Sequence, residues 1–212
     1  MLLDSWWYYK GPAGGINVWD ARPEVFPNGL GGLLRQTGWP QMLHNRYWDA
    51  GTNYSTVNGG AYNFIYDGCV ERAAGSTTGS TAAVCVVVPD DQQFWDDLIA
   101  NKTKTGLFMY EQDWLDSEMD KSRILGESAT MGRTWMLQMN NGCEASNVTI
   151  QLCMSHVRHI LQSVEMPAAT NARASGDYIH PGPGAGGHQW DIGTTSILAH
   201  AVGLAPSKDN YW

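Results

Sequence analysis

Along most of this chain a short apolar segment is followed by a loop and then by a stretch of helical periodicity, and the apolar segments end on polar side chains. That rhythm limits the possible folds more than any other feature. It gives six candidate strands, the clearest at residues 1–3, 40–44, 106–110, 148–154 and 168–172. Polar residues gather at their C-terminal ends: Asp4, His44 and Asn45, Asp113, Ser155, Arg173 and Asp177. Pro89-Asp90-Asp91 opens a helix on which Phe94, Trp95, Leu98 and Ile99 recur at helical spacing. Residues 128–140, 157–164 and 192–202 also read as helices, and a short helical stretch runs from Leu30 through Arg35. Residues 11–32 and 182–187 carry Gly, Pro and Asn punctuation and read as loop. Residues 49–88 form a long insertion of low charge with a Ser/Thr-rich tract. Strands alternating with helices predict an α/β fold with a parallel sheet. A (β/α)8 barrel and a doubly wound sheet both place ligands at strand C-termini, so the pattern alone leaves both open.

A length of 212 residues fits one domain. Thirteen basic residues against 21 acidic ones give a net charge of −8, which disfavours a nucleic-acid partner because phosphate contacts need clustered Lys and Arg. With 43% apolar and 16% charged residues the chain is not of the disordered class. No apolar run is long enough for a membrane span, and the first ten residues lack the basic start and small-residue cleavage site of a signal peptide. Ten Trp, nine Tyr and 24 Gly fit a protein that stacks rings against sugars, and fit a Trp-rich core equally well.

Two short motifs are set aside. Gly182, Gly184 and Gly187 match a dinucleotide-binding spacing, but Pro181 and Pro183 interrupt it, and proline has no N–H to offer a phosphate. His156 and His159 are a helical pair without a third ligand nearby, so packed or surface histidines are the expectation. No metal or cofactor is expected. Four cysteines permit two disulfides; Cys69 and Cys85 flank the Ser/Thr-rich tract, and a bond closing that loop is expected to stabilise by about 3 kcal/mol. Asn53, Asn101 and Asn147 each begin an N-x-Ser/Thr sequon. Together with the cysteines they point to a secreted or secretory-lumen glycoprotein.

The carboxylates carry more chemistry. Asp113 closes an apolar segment between Gln112 and Trp114, and Asp177 closes Arg173-Ala174-Ser175-Gly176-Asp177. Two carboxyl groups at one mouth can serve as nucleophile and general acid/base on an acetal, and an arginine beside them can hold a hydroxyl or keep a carboxylate ionised. Each Asp, taken singly, could instead cap the next helix or turn.

Four segments together resemble the catalytic barrel of the retaining α-galactosidase superfamily, with its raffinose-synthase-like and α-glucosidase-like branches. Leu2-Leu3-Asp4-Ser5-Trp6-Trp7 is similar to that family's second strand, Val25-Phe26-Pro27-Asn28-Gly29-Leu30 to the segment before its third, residues 106–113 to its fourth, and residues 173–177 to its sixth. The resemblance implies a (β/α)8 barrel in which Asp113 is the nucleophile and Asp177 the acid/base. It implies a carbohydrate substrate held by Asp4, Trp6, His44, Glu111, Trp114, Arg173 and Tyr178, with rings among Trp6, Trp7, Trp48, Trp114 and Tyr178 lining the pocket. Where the family usually has Lys two residues before the nucleophile, this chain has Glu111. No segment resembles the first or eighth strand, and a whole barrel takes about 250 residues. The expectation is therefore a single partial barrel over residues 1–212, with flanking sequence or another chain completing it, because bare sheet edges are a liability. Glu111 and the incomplete strand set leave open a second reading, a catalytically silent carbohydrate-binding or structural glycoprotein on the same barrel.

Overall fold

The computed structural model describes residues 1–66, 86–175 and 189–208, with backbone alone at 189–191. The chain begins with β1 (Leu2–Leu3) and an excursion carrying β2 (Tyr9–Lys10) and β3 (Ile16–Val18). Next come α1 (Gly29–Thr37), β4 (Gln41–Asn45) and a second excursion with β5 (Trp48–Asp49), β6 (Phe64–Tyr66) and β7 (Val86–Pro89). After α2 (Gln92–Thr103) and β8 (Leu107–Gln112) follow three helices, α3 (Leu115–Lys121), α4 (Arg123–Glu127) and α5 (Met131–Ala145). The chain then runs through β9 (Thr149–Leu152), α6 (Val157–Gln162), β10 (Ala169–Arg173), α7 (Gln189–Ala201) and β11 (Ala205–Ser207).

Six strands form one sheet in chain order, β1-β4-β8-β9-β10-β11, and every neighbouring pair is parallel. This arrangement is consistent with a partial TIM-like barrel. Register separates its two faces. On one face Leu43, Tyr110 and Ile150 lie level, and Leu152 and Ala172 form the next tier; all are fully buried, with α2 and α5 against that side. On the other, Met42 and Met109 form one tier and His44, Glu111, Gln151 and Asn171 the next, nearer the strand C-termini. That face is polar, and outside His44 and Glu111 it is only half-buried. Parallel sheets are ordinarily covered on both sides. A polar, half-covered face is therefore the exception in this sheet and a candidate place for a site.

The two excursions pair with each other as a second sheet, β2-β3-β5-β7-β6, in which only β3 and β5 run parallel. It packs on α2 through Trp48, Phe64 and Phe94, whose rings meet edge to face with centroids 5.1–6.2 Å apart. Burying each such side chain contributes roughly 1.5–3 kcal/mol. Helices α2 and α5 approach closely at Gly142, where a Cβ would stand 2.8 Å from the Trp95 backbone.

Several expectations are revised. Residues 49–88 are not simply an insertion, because Val86–Pro89 forms a buried strand inside the second sheet. Residues 11–32 contain β3 rather than loop alone. Pro89 ends β7 instead of opening the helix; Asp91 caps α2 by accepting from the Gln93 N–H at 3.0 Å. Leu2 is exposed because β1 has a neighbour on one side only. The described helices include none long and apolar enough to cross a membrane. Cys143 and Cys153 are buried free thiols. The Cys69–Cys85 bond, the 182–187 glycine loop, Asp177 and Tyr178 lie outside the described residues.

Candidate active site at the strand C-termini

Glu111 and Asp113 are two residues apart on one extended strand, so both project to the polar face. The ladder continues one residue past β8, with the Asp113 N–H donating to the Asn45 carbonyl at 2.9 Å. The chain then turns abruptly. Trp114 has φ 61° and ψ 28°, a left-handed conformation that costs a non-glycine residue about 1–2 kcal/mol. Met154 (φ 47°), just beyond β9, does the same, and the Asp116 N–H donates to its carbonyl at 2.8 Å, tying the two turns together. Strained backbone at adjacent strand ends is characteristic of functional sites.

His44 stands level with Glu111 on the neighbouring strand. Its Nε2 is 3.0 Å from Asp113 Oδ2 and 3.9 Å from Asp4 Oδ1, and its Nδ1 is 3.0 Å from the Tyr8 hydroxyl. An ionised Asp113 only accepts hydrogen bonds, so Nε2 carries a proton toward it. Burial alone would raise the Asp113 carboxyl. The hydrogen bond and charge of His44, the Cys153 thiol and the Trp114 N–H outweigh burial and hold it below the usual Asp value. Tyr8 is pushed far above the ordinary tyrosine value, chiefly by burial, and keeps its proton.

Glu111 behaves oppositely. It is 5% exposed, and burial pushes its carboxyl up to about 7; His44 opposes the shift and Asp113 adds to it. Its Oε2 and Asp113 Oδ1 are buried without hydrogen-bond partners. Two carboxyls, one ionised and one poised near neutrality, thus share one face and each leave an acceptor open. Cys153 adjoins both, and its thiol is pushed up by burial, then by Asp113 and Glu111, while Arg173 at the end of β10 pulls it back.

A second network fixes the strand end from behind. The Tyr110 hydroxyl donates to Gln112 Oε1 at 2.7 Å, and Gln112 Nε2 donates to Glu118 Oε2 at 2.8 Å and to the Asp113 carbonyl at 3.1 Å. Glu118 is buried and pushed well above its usual value by desolvation. The Arg46 guanidinium lies 4.1 Å from the Trp114 ring centre and 4.8 Å from that of Tyr47, so it braces the residue that follows Asp113.

The structure therefore brings together Asp4, His44, Glu111, Asp113, Trp114 and Arg173 of the expected set. Trp7 and Trp48 are core residues at 1% and 0% exposure, whereas Trp6 is 72% exposed at the mouth. Tyr8, Arg46 and Cys153 escape the sequence reading. A charged residue just after a strand, in a chain of low charge, was the available signal for Arg46; Tyr8 and Cys153 look like core residues in one dimension. Among the described residues no group of three or more His, Cys, Asp or Glu could hold a metal ion. His156 Nε2 instead meets Asp120 Oδ1 at 3.1 Å, and buried His159 accepts the His156 N–H at 2.9 Å. Asn53, Asn101 and Asn147 are exposed.

Neither a family profile nor a curated protein sequence matches the chain. Among solved structures, a GH27 β-L-arabinopyranosidase from Geobacillus stearothermophilus superposes with a TM-score of 0.50 at 12% identity, over 87% of this chain and 42% of that one. A variant of the same enzyme in complex with arabinose gives a TM-score of 0.41 at 12% identity, over 70% and 33%. This chain thus spans less than half the length of these proteins and is similar to them in its α/β fold.

Proposed function

We propose that this chain carries the nucleophile and the acid/base of a retaining glycoside hydrolase acting on α-linked sugars. The observation that carries the reading is the ionised Asp113 at a strand C-terminus, gripped by the buried His44 and open at Oδ1. In this mechanism Asp113 attacks the anomeric carbon and Asp177 protonates the departing oxygen, then activates water. That role requires the two carboxyl groups about 5–5.5 Å apart, against ~6.5–9.5 Å for inversion. His44 aims the carboxylate, Asp4 and Arg173 hold hydroxyls, and Tyr8 holds His44. The same reading places the remaining strands of a (β/α)8 barrel outside this chain's six. It places the protein in the secretory pathway, with glycan on at least one sequon; an intact mass equal to the bare polypeptide on native material would refute that localisation.

Asp113→Asn should abolish turnover and covalent labelling by a fluorosugar inactivator while leaving the circular dichroism spectrum unchanged. Asp177→Asn should spare the first step for aryl glycosides with good leaving groups. A second reading is favoured by Glu111, whose ionisation beside Asp113 would repel the negative charge the nucleophile needs: a silent sugar-binding protein. Sugar binding without hydrolysis of any α-glycoside, with the barrel complete, selects that reading.

A further inference from the structure

Beside the His44–Asp113 centre, and sharing Tyr8 with it, lies a groove of about 430 Å3 lined by Trp6, Tyr8, Tyr9, Lys10, Arg22 and Glu24. Its floor is built, not loose: Lys10 sits on β2, which pairs with β3. The Lys10 ammonium is held over the Trp6 ring at 4.4 Å and lies 5.5 Å from that of Tyr8. It donates to Ser5 Oγ at 3.3 Å, and no carboxylate among the described residues forms an ion pair with it. Burial, then the charge of Arg46, lowers it to about 8, with Arg22 adding and Asp4 opposing. A partly desolvated cation with no ion-pair partner among the described residues, in a protein of net charge −8, is an unusual feature. Glu24 does not neutralise it, because Glu24 faces Arg22 at 3.6 Å. The adjoining indole of Trp6 is 72% exposed and offers a flat apolar platform of the kind a sugar ring covers.

We propose that this groove is a subsite for an anionic sugar residue, in which Lys10 pairs with a carboxylate or sulfate substituent and Trp6 takes the ring. The proposal rests on the glycosidase reading for its link to chemistry, but the binding it describes is measurable without catalysis. Negative substituents are disfavoured beside the ionised Asp113 by like charge. The groove is where such a substituent finds an opposite charge within reach of the reacting centre.

Titration calorimetry of the full chain with D-galacturonate, D-glucuronate and D-galactose 6-sulfate, against D-galactose and D-glucose, tests it. At least one anionic sugar should bind about tenfold more tightly than its neutral parent, the scale of one charge-assisted hydrogen bond. Lys10→Met should abolish that ratio, and Lys10→Arg should retain most of it, both with unchanged circular dichroism. The uronates and the sulfate ester distinguish the two substituents. Equal affinity for charged and neutral sugars, no binding of any of them, a preference that survives Lys10→Met, or inorganic sulfate binding as tightly as the sulfated sugar would each overturn the proposal. Lys10-dependent binding with no cleavage of any α-glycoside would keep the subsite and remove the glycosidase reading. Cleavage of neutral α-glycosides without an anion preference would do the reverse.

Discussion

Replacing Glu111 by Gln isolates the most unusual titration in the site. The side chain keeps its shape and loses its proton. In the native protein the Glu111 carboxyl is raised from 4.5 to about 7 by burial. Between those values the folded state binds more protons than the unfolded chain, so stability falls as pH rises through that window and levels off above it. At about 1.4 kcal/mol for each tenfold change in proton affinity, fully ionised Glu111 destabilises the native state by roughly 3 kcal/mol. Urea unfolding followed by tryptophan fluorescence, at half-unit steps from pH 4.5 to 8.5, gives the comparison. Wild type and Glu111→Gln should match near pH 4.5 and diverge with rising pH, the variant becoming more stable by about 3 kcal/mol at the alkaline end. The groups distant from Glu111 are the same in both proteins, so their contributions cancel. A difference independent of pH would mean that Glu111 does not titrate in this window. A wild type that is the more stable at high pH would mean that His44 holds Glu111 as a favourable ion pair, and the reasoning fails.

Tyr8→Phe leaves the buried His44 Nδ1 without its partner and should cost about 1–3 kcal/mol in urea unfolding, with turnover reduced more than substrate affinity. Gly142→Ala puts a methyl group 2.8 Å from the Trp95 backbone. The helix-propensity gain of about 1 kcal/mol should be outweighed, and the melting temperature should fall; an unchanged or higher one would show that α2 and α5 can separate without penalty. In a Cys69→Ser, Cys85→Ser background, a thiol reagent should modify neither Cys143 nor Cys153 in the native protein and both after unfolding; rapid native reaction would contradict their burial.

The parallel sheet was legible because each of its longer strands is an apolar run ending in a polar residue, a pattern visible in one dimension. Helix α2 was legible for the same kind of reason: Phe94, Trp95, Leu98 and Ile99 repeat at helical spacing and are all buried. The second sheet was not. Its strands are two to four residues long and pair across the β4 segment, so no local period announces them. Helices α3 and α4 are too short for their apolar residues to repeat. In the site, Asp113 and His44 could be named from their places at strand ends. Tyr8 could not, because its role depends on a ring carried by β4 meeting a hydroxyl from the first excursion, 36 positions away.

The order of the second sheet bears on how such a protein can change over generations. Lys10 lies on β2 at one margin of that sheet, while β6 forms the opposite margin, with β3, β5 and β7 between. Exchanges at Trp6, Tyr9 or Lys10 would alter the groove from outside the sheet that carries Asp113, whereas Tyr8 is tied to that centre through His44. On the proposed reading, Lys10 and Asp113 belong to different sheets, so selection could act on the groove while the reacting carboxylate stays fixed, with Tyr8 the residue that couples them.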